Sequence, residues 1–559
     1  MIIPKGNKIH SFVSDLLDKC YRGQSNSRIS EYQNLRQWYL KGSDNEQRST
    51  LNMLLPHNRL QSSFLYSGET ASFNIDVGTA NLDELLHMQA QIFADALSSY
   101  WKDDDYDTVI KDAVEMQGVY GKSFVKVIAD GKAASLYYCS PANIGVYRED
   151  IPQLDRQECI VQKYSITRDE LRRKLELKQY DKNTIDTLLN LMPQGVPTKE
   201  EEGNAQNFIN SYQLSLPGDS VNPSGGVFDI NSLGDKNYIP TNNNDLITLF
   251  EIWVWDNELD DYRIITATEY FTLHTEPNYF VKGETPFVDF CANRLADYFW
   301  GISEVAPQIK LQKWINERLA QIQKTFAMEN NPPLVGVNLT NATDEWPNFY
   351  KPGGRFMTND PQTQIVPMKI TPPADSYAEI SNITGFMNDT SQINDMLQGK
   401  GTSGVRAEGH AALLARISSA TQKDKALLIE KSVEKVATLI AKLMFKNDPT
   451  IYKISYQNRD IKFVLSEFVN DFKIRINNHS TSPLFAYDIE QTMFALNKMG
   501  IVTGQRLVEA LNIPNKADIL ADLKTKTQPS AQNVEKAVKS LDAIKAEQKA
   551  EAVLSLQPK

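Results

Sequence analysis

In 308–330, and again from 376 to 450 outside a short glycine-rich stretch, the apolar positions fall mostly in steps of three and four. That is the repeat of helices with one buried side. In RLADYFWGISEVAPQIKLQKWINERLAQIQKTFAMENNPP, Ser303 is placed to cap a helix. Its apolar side is Ile309, Leu311, Trp314 or Ile315, Leu319, Ile322 and Phe326. Asn330-Asn331-Pro332-Pro333 stops it, and from 308 to 330 it would be about 35 Å long. Residues 334–375 are short, strand-like and turn-rich. A second helix is predicted over 376–397, with Ile380, Ile383, Phe386 or Met387, Ile393, and Met396 or Leu397. A glycine-rich stretch follows. Then Leu413, Leu414, Ile417, Leu427, Leu428, Val433, Val436, Ile440 and Leu443 run without a breaker to Asp448-Pro449, one helix of roughly forty residues.

The chain before 294 has a different rhythm. Residues 1–110 read as mostly helical, most clearly at 82–101. SFVKVIA and KAASLYYC flank Asp130-Gly131, a two-residue hairpin signal. CIVQKYSI (159–166) reads as a strand and RDELRRKLELKQY as a helix after it. LITLFEIWVWD (246–256) and YRIITATEYFTL (262–273) form a second hairpin, rich in β-branched and aromatic residues. Residues 193–244 are polar with repeated Gly, Pro and Asn, a long insertion. Near the C-terminus, 533–556 carries Val534, Val538, Leu541 and Ile544, a helix with a narrow apolar seam. The fold class expected is α+β.

Composition narrows the function. Of 559 residues, 41% are hydrophobic and 23% charged, an ordinary globular balance. No run of eighteen apolar residues announces a membrane helix, and the start lacks a signal-peptide layout. Cys20, Cys139, Cys159 and Cys291 are scattered without a C-x-x-C, which argues for reduced thiols in a cytoplasmic setting and against zinc. The net charge of −11 announces no broad basic face for nucleic acid.

Several strings imitate catalytic motifs. Gly121-Lys122-Ser123 ends like a P-loop, but its first glycine would fall on Met116 and a strand follows where a helix is needed. Asp103, Asp105 and Asp107 start like a calcium loop, but Thr108 and Val114 stand where Gly and Glu belong; a solvated turn ahead of a helix fits better. Gly401-Thr402-Ser403-Gly404 approaches a nucleophile elbow, yet Val405 replaces the closing glycine. The six histidines contain no HExxH. GKGTSG (399–404) has the dinucleotide fingerprint, but it lies between two helices and not between strand and helix. No catalytic constellation, cofactor or metal site is expected.

The order helix, small β module, helix, glycine loop, long helix resembles the portal proteins of tailed bacteriophages, of a podovirus-like kind. The residues that carry it are YFWGISEVAPQIKLQKWIN, ENNPP, YKPGGRF and GTSGVRAEGHAALLARISSATQKDKALLIEKSVEKVATLIAKLM. FALNKMGIVTGQRLVEALNIP (494–514) fits more loosely. The resemblance implies a ring-forming portal fold: wing 1–301 with the insertion 193–244, stem helix 302–333, clip 334–375, stem helix 376–397, tunnel loop 398–406, long wing helix and strands 407–490, and a helical crown over 491–559. It implies a homo-dodecameric ring at one capsid vertex, with double-stranded DNA in its channel and major capsid protein, terminase and a tail adaptor as partners. The protein would be made in the host cytoplasm and reside in the virion, without enzymatic activity or a membrane. Gly399, Gly401 and Gly404 would then let the tunnel loop bend, since glycine reaches positive φ at no steric cost. Thr402 and Ser403 complete that loop. Lys400 and Arg406 beside it would form a thin positive ring, or be solvated or paired with Glu408. Trp346, Tyr350, Lys351 and Arg355 would present the clip to terminase or adaptor. Lys313, Trp314, Arg318 and Lys324 would belong to the stem. The rival readings are another virion ring or scaffold protein, and a nucleotide-dependent enzyme using GKGTSG or GKS.

Overall fold

A computed structural model describes residues 1, 3–4, 9–43, 51–67, 72–76, 84–103, 106–130, 133–167, 171–173, 246–268, 272–330, 334–337, 362, 364–367, 375–393, 420–447, 451–456, 459–464, 473–476, 482, 485, 493–504 and 507. The chain divides into two compact units, Met1–Asn477 and Asn478–Lys559. Mixed helix and antiparallel sheet make up the first, an α+β architecture as expected.

Its N-terminal part is helical: α1 (Ile9–Leu17), a π-helical turn (Asp18–Arg22), α2 (Gly23–Lys41) and α3 (Leu54–Leu65). After the short β1 (Phe73–Asp76) come α4 (Glu84–Asp103) and α5 (Tyr106–Tyr120). α5 buries Tyr106, Ile110, Ala113, Val114 and Gln117, spaced by three and four. Asp107 does not lie in a solvated turn. It sits in the first turn of α5 and accepts from Tyr66 Oη (2.6 Å) and Trp101 Nε1 (2.7 Å).

Two sheets follow. β2 (Ser123–Asp130) pairs with β3 (Ala133–Cys139) and with β9 (Phe287–Phe290) in the order β3-β2-β9. Asp130 faces Ala133 in the ladder, so the two connecting residues are 131–132, one position later than the Asp-Gly signal suggests. The other sheet orders β4 (Ile144–Val146), β5 (Cys159–Thr167), β6 (Leu246–Asp256), β7 (Asp261–Ala267) and β8 (Thr272–Pro277) consecutively. The run 262–273 is therefore not one strand. β7 ends at Ala267 after a register shift, and β8 returns against it. β6 lies in the middle, and its Leu249, Ile252, Trp253 and Val254 are buried, as its β-branched and aromatic composition requires.

The β9 segment leads through a rigid turn to α6 (Ile309–Asn330). Gly301 sits at φ +70, where an added Cβ would meet Cys291 Sγ at 2.6 Å. Ser303 does cap the start: its Oγ accepts from the N–H groups of Val305 and Ala306, both 3.1 Å, opening a 3₁₀ turn (Ala306–Gln308) ahead of α6. β10 (Leu334–Val337) and β11 (Gln364–Pro367) pair antiparallel, and α7 (Ser376–Ser391) follows. α7 is shorter than the predicted 376–397. Gln392 turns left-handed (φ 58), and the N–H groups of Gln392 and Ile393 return to the carbonyls of Asp389 and Asn388, closing the helix as a Schellman-type cap. α8 (Ala420–Asn447) buries Ile429, Val433, Val436, Ala437, Ile440 and Leu443. β12 (Ile451–Tyr456) pairs with β13 (Arg459–Val464), and β14 (Lys473–Ile476) returns to β1.

Candidate functional site

α6 and α7 form an antiparallel pair. Arg318 Nη2 lies 2.5 Å from Glu379 Oε1, while Ile315, nearer the start of α6, joins Ile383 and Met387, nearer the end of α7, in one core. The root of α6 is fixed by polar groups. Gln312 donates to Leu51 O (2.8 Å) and accepts from Met53 N–H (3.0 Å), and Asn316 donates to Gly42 O (2.6 Å). Both side chains are buried, so the inner side of α6 is Gln312, Ile315, Asn316 and Ile322. Between the two expected alternatives, Ile315 points inward and Trp314 outward, 41% exposed.

Beyond the level of Arg318 and Glu379, α6 continues for about three turns, or ~18 Å. Its residues 323–330 are exposed or half-exposed. Phe326 falls on the same side as Ile315 and Ile322 by helical spacing but is 41% exposed. α7 likewise exposes Tyr377 (59%) and Phe386 (52%). Trp314 and Phe326 on α6 and Tyr377 and Phe386 on α7 are thus all substantially exposed.

The stem candidates thus separate. Lys313, Trp314 and Lys324 lie on the outward side of α6. Arg318 is half-buried and tied to Glu379 and Gln321. The clip candidates Trp346, Tyr350, Lys351 and Arg355 and the loop candidates Gly399, Lys400, Gly401, Thr402, Ser403, Gly404 and Arg406 lie outside the described residues.

The base of that loop is described. Ile393, the last residue before it, is buried. Gln422, in the first turn of α8, donates to Ser391 O at 3.2 Å, so the two ends of segment 394–419 are held together. Around this point His57 Nε2 meets Asn388 Oδ1 at 2.6 Å. Glu304, just ahead of α6, accepts on Oε1 from Gln61 (3.0 Å), Asn293 (2.5 Å) and Lys425 (2.5 Å). One carboxylate therefore joins α3, the turn before α6 and α8. The buried Glu304–Lys425 pair is stable only with all its hydrogen bonds made, which favours a single arrangement at the loop base. Sequence reasoning missed Gln312, Asn316, His57, Glu304 and Lys425. Their partners are remote in sequence, and the only local signal is a polar residue on an apolar helix side.

Of the enzyme-like strings, Gly121-Lys122-Ser123 is described, and its side chains are engaged in the core. Lys122 is buried, 3.0 Å from Asp289 Oδ2, donates to Pro152 O and lies 3.7 Å over the Phe299 ring. Ser123 Oγ donates to Ala113 O. Burial alone would raise the Asp289 carboxyl, but the ammonium groups of Lys122 and Lys435 outweigh it and hold the carboxyl below its usual range. All four cysteines are buried free thiols. Burial pushes Cys139 up to about 12 and Cys291 up to about 11, which keeps them protonated. Among the described residues no group of three or more His, Cys, Asp or Glu is arranged to hold a metal, and no helix is long and apolar enough to cross a membrane. Compared with known proteins, the sequence matches no protein-family model and no curated protein.

Proposed function

We propose that this chain is a portal-type protein. Its copies close into a ring around an axial channel, at one vertex of a bacteriophage capsid, and double-stranded DNA passes through. The observation that carries the reading is the α6–α7 hairpin, whose aromatic side chains stand exposed among the described residues. A 22-residue helix with aromatic side chains exposed on two sides gains little by itself. Many copies side by side would bury those side chains together. The long α8 and the pinned loop base add support, because they carry a segment of 26 residues, 394–419, between two fixed points. Holding both ends of such a segment suits a channel constriction.

The channel reading also suits the charge. Each lysine–phosphate contact would add affinity through counterion release and oppose sliding. A subunit charge of −11 repeated round a ring favours repulsion and centring of the duplex. The protein acts in this reading as a conduit and docking ring, not as an enzyme. Terminase, the major capsid protein and a tail adaptor are the partners proposed. Native mass spectrometry of the purified full chain at micromolar concentration tests the reading: one closed oligomeric species is expected, and a stable monomer alone overturns it.

A further inference from the structure

We propose that the outward side of α6 from one copy docks on the outward side of α7 from the next, with Trp314 seated over Gly385 and Lys310 beside Asp389. The proposal rests on the ring reading above and specifies which surfaces of the hairpin meet.

Charge separates the two sides. α7 contains no basic residue; Glu379 is engaged by Arg318, and Asp389 is exposed. On α6, Lys310, Lys313 and Lys324 are exposed, against Glu317 and, at the far end, Glu329, and Lys310 and Lys313 sit at the level of Asp389 and Gly385. Two copies of the same side would repel or ignore one another, whereas unlike sides attract. The contact is therefore head-to-tail, the kind that propagates round a ring and closes.

Shape agrees with charge. The buried residues of α7 are Ser376, Ile383, Met387 and Ser391, which puts Gly385 at the middle of the opposite side by helical spacing. An added Cβ there meets nothing within 4 Å, so packing inside this chain does not demand a glycine. Phe386 stands exposed next to it, and the exposed Tyr377 lies about two turns, ~12 Å, nearer the start of α7. The resulting seat is a shallow place beside Phe386, and Trp314 is the bulkiest residue on the outward side of α6.

Height fixes the register. Arg318 meets Glu379 within one chain, and the helices run antiparallel at ~1.5 Å per residue. Position 314 is then level with position 383, and position 310 with 387. Gly385 and Asp389 are each within two residues, or ~3 Å, of those levels. Rotation about an axis along the hairpin leaves heights unchanged. One four-residue step on each helix thus brings both pairs, Trp314 with Gly385 and Lys310 with Asp389, into reach together.

The test is a pair of introduced thiols in the full chain, Lys310→Cys with Asp389→Cys, oxidised with copper phenanthroline and run on a non-reducing gel. The native cysteines are buried and do not compete. A ladder of linked copies from the double variant, with none from either single variant, is the expected result. Assembled rings without a ladder, or with only an intrachain bond, overturn this docking and leave the ring reading standing. Linked dimers from one single variant mean like surfaces meet, which also overturns it. A parent chain that stays monomeric overturns both. As a second measurement, Lys310→Glu should raise the half-assembly concentration roughly fivefold, and Asp389→Lys in the same chain should restore it. Restoration absent, the pairing is wrong.

Discussion

Lys122, just ahead of β2, holds its ammonium between Asp289, Pro152 O and the face of Phe299, its own side chain 1% exposed and that of Asp289 16%. A buried pair of this kind costs most when it is halved. Lys122→Met should destabilise the fold by roughly 3–5 kcal/mol in urea denaturation, because the Asp289 charge is left alone. Lys122→Met with Asp289→Leu should recover most of that. The carboxyl of Asp289 is held low, so its contribution is complete above the ordinary carboxylate range and fades as the pH falls through that range to the lowered value. Asp289→Asn, unstable at neutral pH, should accordingly show a flatter loss of stability on acidification below about pH 4 than the parent. Parallel curves for the two would contradict the assignment. Gly385 is a residue of the opposite kind, half-buried but with open space where a Cβ would stand. In the unassembled protein Gly385→Ala should raise helix stability by about 0.5–1 kcal/mol, read as a higher Tm. In the assembled state the added methyl group should weaken the docking. A variant that is both more stable and equally well assembled would show that the seat is not used.

At the scale of elements, the strands were legible where composition and pattern agreed. Leu249, Ile252, Trp253 and Val254 of β6 announce a central strand by their bulk and branching. Helix positions were legible too, but helix ends were less so. The apolar repeat continues through Ile393 to Leu397, while the backbone has already turned at Gln392, a residue type that carries no stop signal. The choice between Trp314 and Ile315 was open for a related reason. It is settled by Gln312 and Asn316, which bond to the backbone of Gly42, Leu51 and Met53, partners no local pattern reveals. The base of the 394–419 loop was likewise hidden, since Glu304 gathers donors from three distant segments. The loop itself carries a prediction. Gly401 and Gly404 both changed to Ala should restrict positive φ, at roughly 1 kcal/mol or more for each residue that uses it. Assembly should persist and packaged DNA should fall. Unchanged packaging in intact rings would mean that the glycines do not serve movement.

The whole molecule is read as one member of a set. Its sheets and α8 close a core within the first unit, and that part satisfies itself. The α6–α7 hairpin does not, with Trp314, Phe326, Tyr377 and Phe386 all left substantially exposed. The central claim is that neighbouring copies complete it around a channel. End-on electron microscopy of the purified full chain measures this directly. The account predicts closed rings with a single central hole wide enough to pass a DNA duplex. Isolated subunits, or closed discs without a hole, would contradict it.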